Sequence, residues 1–345
     1  MEKKEKFWYL NKFVYCEFLI TFICNYNCSY CFFRGRQHDG SYMLGNKGPG
    51  LADTPLRKAL FPLLRKIGLL RNSDAFMNYS IDEWKRLFGE IFKDKIAYIS
   101  FTGGEPLIHY AKITELIKTL AERSDEYMVR FDTNGTIVPS FPEEFKDRIS
   151  YVVSYHKSQA PQEKFVKNLQ SISKQGKVLM VNRVVDDENG LQDAVQDMKL
   201  FESLGYYTNI TPAFLNVKNW KKSNVDLIKE ITCDIDYEFR VDRKTKGRRC
   251  RYPMFGFRLL PNGFGEVFPC INKAHNLMRK HSLKGLFSDK PMVCQSTDCT
   301  CLHAYPFIEN IDRNAYSYDI LANFVNENKA HKERNLALEA PCKGI

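Results

Sequence analysis

The sequence predicts an α/β fold organised around a sheet of parallel strands. Short apolar runs alternate with helix-period segments from residue 81 to residue 211. Those segments are long enough to serve as the crossover helices that parallel neighbours require. The chain has 345 residues, 44% of them hydrophobic, which suits one large domain with an appendage or two domains. Strands joined by right-handed crossovers form an open sheet or one curled into a partial barrel, and both agree with the periodicity.

The first strand is expected at 18–22. Ser80 is placed to cap a helix over 81–92, where Ile81, Trp84, Leu87, Phe88 and Ile91 recur every three or four residues. A strand at 96–101 runs into Thr102-Gly103-Gly104-Glu105-Pro106. Ile113, Leu116, Ile117 and Leu120 mark one face of the next helix, and a strand at 128–131 runs into Asp132-Thr133-Asn134-Gly135. Pro142 suits the first turn of a short helix over 142–146, where a missing N–H costs no bond. A strand at 150–154, a helix at 162–173 closed by Gly176, and a β-branched strand at 177–184 follow. Leu191, Val195, Met198, Phe201 and Leu204 form a stripe closed by Gly205, and the sixth strand is expected at 207–211.

Two stretches interrupt this alternation. Residues 33–79 are a long insert, helical near 56–70, and residues 233–310 have hairpin character around Leu259-Leu260-Pro261-Asn262-Gly263. A last helix is expected over 318–334. The chain thus divides into a parallel α/β domain at 1–232, a cysteine-rich α+β appendage at 233–310, and a helix and tail at 311–345.

Composition excludes a disordered chain, a collagen and a coiled coil. No run of about 18 apolar residues occurs, so no membrane span is expected. The charged start at 1–6 is unlike a signal peptide, and a cytoplasmic protein is expected. Of eleven cysteines, Cys16, Cys24, Cys28 and Cys31 come first, none falls in 32–232, and seven follow. Two clusters in a reduced chain point to two metal sites.

Cys24, Cys28 and Cys31 form a C-x3-C-x2-C run directly after the first strand. That is the rim where parallel α/β folds place their sites. Three thiolates on one short loop can hold three irons of a [4Fe–4S] cluster and leave the fourth open to a substrate or cofactor. Zinc is the competing occupant; it wants four ligands, and His38 is the nearest further donor. Gly103-Gly104-Glu105-Pro106 ends the second strand at the same rim, where glycines let the backbone approach a ligand closely.

Together these two motifs resemble the radical S-adenosylmethionine (SAM) superfamily, over residues 16 to about 215. The resemblance implies a partial (β/α)6 barrel. It implies that Cys24, Cys28 and Cys31 ligate the cluster, whose open iron chelates the amino and carboxylate groups of SAM. It places Tyr30 near the adenine, gives the methionine ammonium to Gly103, Gly104 and Glu105, and sets Ser154 against the ribose or carboxylate. Arg183 is the implied partner of the SAM carboxylate, with Asn182 as its competitor. The implied chemistry is reductive cleavage of SAM to a 5′-deoxyadenosyl radical, which takes hydrogen from an unactivated C–H bond. An external reductant such as flavodoxin or ferredoxin is implied.

Cys250 and Cys270 flank the expected hairpin in a C-x14-G-x4-C pattern, and Cys294, Cys299 and Cys301 follow. This resembles the SPASM and twitch domains appended to radical SAM enzymes, in which such cysteines hold an auxiliary [4Fe–4S] cluster. The late C-x4-C-x-C run is shorter than the fuller SPASM series, so one auxiliary cluster is implied, with five cysteines competing for four places. A small zinc module would use the same thiolates. Cys16, Cys233 and Cys342 remain as buried or tail cysteines; Cys233 is also a candidate hydrogen donor to a substrate radical.

The formal charge is +10, and eleven basic residues fall between 218 and 251, Arg248, Arg249 and Arg251 among them. This run is a solvated face or a surface for an acidic partner; nucleic acid is not expected, since no RNA-binding module accompanies it. Three function classes follow. The first is maturation of a ribosomally made peptide by oxidation or cross-linking. The second is a dehydrogenase or epimerase of a small polar molecule such as an amino sugar or nucleotide. The third is a non-enzymatic iron–sulfur or zinc protein, against which the open-iron motif weighs.

Overall fold

A computed structural model of the chain describes residues 12–28, 30–31, 74–185, 188–212, 221, 223–224, 226–227, 245–267 and 273–294. The helices expected over 56–70 and 318–334 lie outside these residues, as do Cys233, Cys270, Cys299, Cys301 and Cys342.

Six strands build the main sheet: β1 (Phe13–Thr21), β2 (Ile96–Gly103), β3 (Glu126–Thr133), β4 (Ile149–Tyr155), β5 (Lys177–Val185) and β6 (Thr208–Pro212). Among the described residues, four helices lie between them: α1 (Ile81–Ile91), α2 (Tyr110–Arg123), α3 (Gln162–Ile172) and α4 (Leu191–Ser203). The strands are parallel and stand in sequential order. With right-handed crossovers, stepping always the same way puts every helix on one face. A doubly wound open sheet would reverse its order at a switch point. This connectivity is that of the partial (β/α)6 barrel.

Strand periodicity divides the two faces. Cys16, Phe18 and Ile20 of β1 share a core with Ile99 and Phe101 of β2, Val129 and Phe131 of β3, and Tyr151 and Val153 of β4. The same core takes Trp84 and Leu87 of α1, Leu116 and Leu120 of α2, Phe165 and Leu169 of α3, and Phe201 of α4. The alternate strand positions carry buried polar groups on the inner face: Glu17, Ser100, Arg130, Ser150, Asn182 and Asn209. Arg130 there donates to Ser100 Oγ (3.1 Å) and Asp132 Oδ2 (3.0 Å).

The start of α1 follows its sequence signal. Ser80 Oγ accepts from the Glu83 N–H, and Glu83 returns a carboxylate oxygen to the Ser80 N–H, a reciprocal capping box. Two expectations are corrected. β1 begins at Phe13, because Glu17 is held inside the strand by Arg258 (2.9 Å) and does not break it. The helix expected at 142–146 is a 3-10 turn over Glu143–Arg148, which buries Phe145.

The appendage continues the same sheet. β8 (Gly256–Leu259) runs parallel to β1, and β9 (Phe264–Val267) and β10 (Lys273–Asn276) follow antiparallel. The turn between β8 and β9 closes with Gly263 N–H on Leu260 O (2.9 Å), Gly263 standing at φ +78°. A short helix α5 (Leu277–Lys280) comes next, and β7 (Arg249–Cys250) pairs with β11 (Met292–Val293) as a separate ribbon. Among the described residues, no helix is long and apolar enough to cross a membrane.

One ion pair is sealed on the helix face. Arg183 Nε donates to Asp197 Oδ2 of α4 at 2.6 Å, with both side chains about 5% exposed or less. Gln162 donates to the other oxygen of Asp197 (2.6 Å). Removing one member of such a pair strands the other in a low-dielectric core. Asp197→Ala is therefore expected to lower the unfolding free energy by about 3–5 kcal/mol. The double change Arg183→Met/Asp197→Leu should lose far less. Urea denaturation at pH 7 makes the comparison.

Candidate active site

The cysteine loop leaves β1 at Thr21 and is held first by backbone. Gly104 N–H donates to Thr21 O (2.7 Å) and Glu105 N–H to Ile23 O (2.8 Å). Gly103 stands at φ +122°, and a Cβ on Gly103 or Gly104 would overlap the carbonyl oxygen of Thr21 or Ile23. Only residues without a side chain let the ends of β1 and β2 come this close. Beyond this contact, Cys31 N–H donates to Cys28 O (3.2 Å), a tight turn that draws the last two cysteines together. Cys28 is buried; Cys24 and Cys31 are half-buried. Burial pushes the Cys24 thiol up, against the Tyr26 N–H that donates to it.

Glu105 is fully buried. Its carboxylate accepts from Thr133 Oγ1 (2.8 Å), Asn134 N–H (2.8 Å) and Leu107 N–H (3.0 Å). Burial nonetheless pushes it up to about 7. The loop after β3 is thereby tied to the strand end of β2. From that loop Asn134 Nδ2 donates to Asn25 Oδ1 (2.8 Å) and reaches Cys24 Sγ (3.6 Å), while Asn25 Nδ2 donates to Thr136 Oγ1 (2.5 Å). Sequence reasoning gave Asn134 no role; its signal was an Asn-Gly turn at the rim of the third strand.

The loop after β4 holds the other side. Gln159 Oε1 accepts from Asn27 N–H (3.2 Å). His156 Nδ1 lies 2.8 Å from Tyr30 Oη and 3.8 Å from Cys28 Sγ. Its ring stacks on Tyr30 at 5.9 Å and meets Tyr26 edge-on at 5.7 Å. Burial, aided by the Arg183 charge, pushes His156 down to about 4, so the imidazole is neutral at pH 7. Sequence reasoning missed His156 as well.

Ser154 is half-buried and stands beside Asn182 in the β4–β5 register. Asn182 Oδ1 accepts from Thr211 Oγ1 (3.2 Å). Arg183 has its Nε on Asp197, its Nη1 on Val184 O and its guanidinium over the Tyr155 ring. Asn182 is the member of the pair on the inner face. Arg183 does line a rim cavity of about 390 Å³ with Tyr30, Lys157, Ser158, Asn189 and Asp193.

The three thiols suit an iron–sulfur cluster. Among the described residues, no three Cys, His, Asp or Glu side chains converge on one metal ion. A four-iron cluster takes each thiolate on a different iron, so three cysteines on one loop can serve it, and zinc would take its donors around a single point. In the appendage, Cys250 lies opposite Met292 in the β7–β11 ribbon, and Cys294 N–H donates to Arg248 O (2.8 Å). Two of the five late cysteines therefore sit on one small ribbon.

Two outcomes follow from this geometry. Gly104→Ala drives a Cβ into the Ile23 carbonyl, which no rotamer change relieves. It should cost at least about 1–3 kcal/mol and lower the iron bound after reconstitution. Glu105 ionises near 4.5 in the unfolded chain but holds its proton to about 7 in the fold. Between these values the folded state binds more protons, so stability falls as pH rises through that window and is level above it. The loss is about 3 kcal/mol. Denaturation at stepped pH should show it in the parent and not in Glu105→Gln.

The family model described as the Radical SAM superfamily matches residues 18–182. No curated protein matches the chain. Among solved structures, anSMEcpe with bound AdoMet and the Cp18Cys peptide is 11% identical with a TM-score of 0.47, covering 77% of this chain and 78% of that one. Streptococcus suis SuiB bound to precursor peptide SuiA is 14% identical with a TM-score of 0.46, covering 83% of this chain and 67% of that one. BtrN in complex with AdoMet and 2-DOIA is 15% identical with a TM-score of 0.26, covering 73% and 72%. The matched residues, 18–182, hold both the cysteine loop and the glycine pair, and over them the chain is similar to the radical SAM superfamily.

Proposed function

We propose that the chain is a radical SAM enzyme that oxidises or cross-links a ribosomally made peptide. The observation that carries the radical SAM chemistry is the three-cysteine loop, held to the ends of β2, β3 and β4 by Gly104, Asn134 and Gln159. Cys24, Cys28 and Cys31 would hold the [4Fe–4S] cluster. When bound, cluster and SAM supply a 5′-deoxyadenosyl radical that takes hydrogen from a C–H bond.

The chain's own part is to bind and orient. Gly103, Gly104 and Glu105 would meet the methionine ammonium. Ser154 and Asn182 would face the sugar and carboxylate from the inner face, and Tyr30 the adenine. Cys250 and Cys294, with two of Cys270, Cys299 and Cys301, would hold an auxiliary cluster with no open iron. A peptide substrate is supported by the long segment at 33–79 and by the basic run at 218–251, which suit an extended acidic chain. Flavodoxin or ferredoxin is the proposed electron source.

The test is anaerobic reconstitution with reductant and SAM. The parent should bind about eight irons, four per cluster, and release 5′-deoxyadenosine. Cys28→Ala should reduce that product to background. The triple change at Cys24, Cys28 and Cys31 should keep about four irons in the appendage. With an acidic peptide substrate, mass spectrometry should find a product lighter by two hydrogens. SAM cleavage by the triple variant would sink the assignment.

A further inference from the structure

The cluster reading concerns the three cysteines; His156 lies outside their motif, 128 residues beyond Cys28, yet touches that cysteine's sulfur. One ring nitrogen makes both of its polar contacts: Nδ1 is 2.8 Å from Tyr30 Oη and 3.8 Å from Cys28 Sγ. The stack on Tyr30 and the edge contact with Tyr26 leave the ring little freedom to turn away. Both tyrosines belong to the cysteine loop itself, so the imidazole is gripped by the loop whose ligand it contacts.

The shared nitrogen fixes the tautomer once Cys28 is a ligand. A ligating cysteine is a thiolate, which accepts hydrogen bonds and repels a ring lone pair. Nδ1 must then carry the proton, shared between Cys28 Sγ and Tyr30 Oη. A hydrogen bond to a cluster sulfur withdraws electron density from it and raises the reduction potential.

We infer that His156 is a positioning residue for the SAM-cleaving cluster, donating from Nδ1 to the Cys28 thiolate and thereby raising the cluster's potential. The inference rests on the assignment of Cys24, Cys28 and Cys31 as cluster ligands.

The test uses the full chain, reconstituted anaerobically, with the appendage cysteines intact. His156→Leu removes the donor; His156→Asn keeps an N–H near the place of Nδ1. Iron content and the midpoint potential of the SAM-binding cluster, followed by electron paramagnetic resonance, are read for each. His156→Leu should shift the potential to a more negative value at unchanged iron content, and His156→Asn should return it toward the parent. Loss of the cluster from the leucine variant alone also supports the donor. An unshifted potential in His156→Leu, or the same shift or cluster loss in both variants, overturns the inference. A parent that binds no cluster at the three cysteines overturns the reading beneath it, which is a separate result.

Discussion

The site depends on one close approach of backbone. Where β2 ends, the absence of side chains at Gly103 and Gly104 lets the chain lie against the carbonyls of Thr21 and Ile23. Two N–H groups close that contact, and the carboxylate of the next residue turns inward to collect three donors from the following loops. Each tie fixes the next: β1 to β2 through backbone, β2 to β3 through Glu105, β3 back to Cys24 through Asn134. A cysteine loop built this way is tied to the barrel rim by the chain's own hydrogen bonds, and ties of that kind reduce the entropy lost on binding.

The sheet separates two environments by parity alone. One set of alternate residues meets the helices and is almost wholly apolar; the other lines the interior with Glu17, Ser100, Arg130, Ser150 and Asn182. Buried charge on the inner side is tolerable because it is paired. Arg258 spans Glu17 at 2.9 Å and Glu266 at 3.6 Å, and Arg130 grips Asp132. A fixed polar interior suits an enzyme that must orient a substrate while keeping it from solvent.

Local signals were legible in the sequence and distant ones were not. Helix α1 carries its own cap and stripe, so Ser80 and Trp84 could be placed from spacing. The cysteine loop is likewise a local motif. His156 and Asn134 acquire meaning only when the fold brings them back across 128 and 110 positions to Cys28 and Cys24. Arg183 and Asn182 stood as competitors because strand face was not assigned. Val181 and Val185, apolar and in phase with Arg183, put Arg183 on the helix side of the strand, since a step of one residue changes the face. β1 was begun too late: it holds a charged residue, Glu17, whose partner Arg258 lies 241 positions away.

The parallel pairing of β8 with β1 bears on how the chain is made. Arg258 meets Glu17 across 241 positions. A ribosome adding about 5–20 residues per second completes β8 about 12–50 s after β1 has been polymerised. Over that interval one edge of β1 has no strand beside it. Its nine residues, Phe13–Thr21, carry a single charge, Glu17. Long apolar edges are templates for pairing between chains. Nascent copies are thus most prone to associate before the appendage is translated, and slower synthesis or crowded polysomes should lower the soluble yield. In this light the appendage is also a late-arriving guard for the edge of β1.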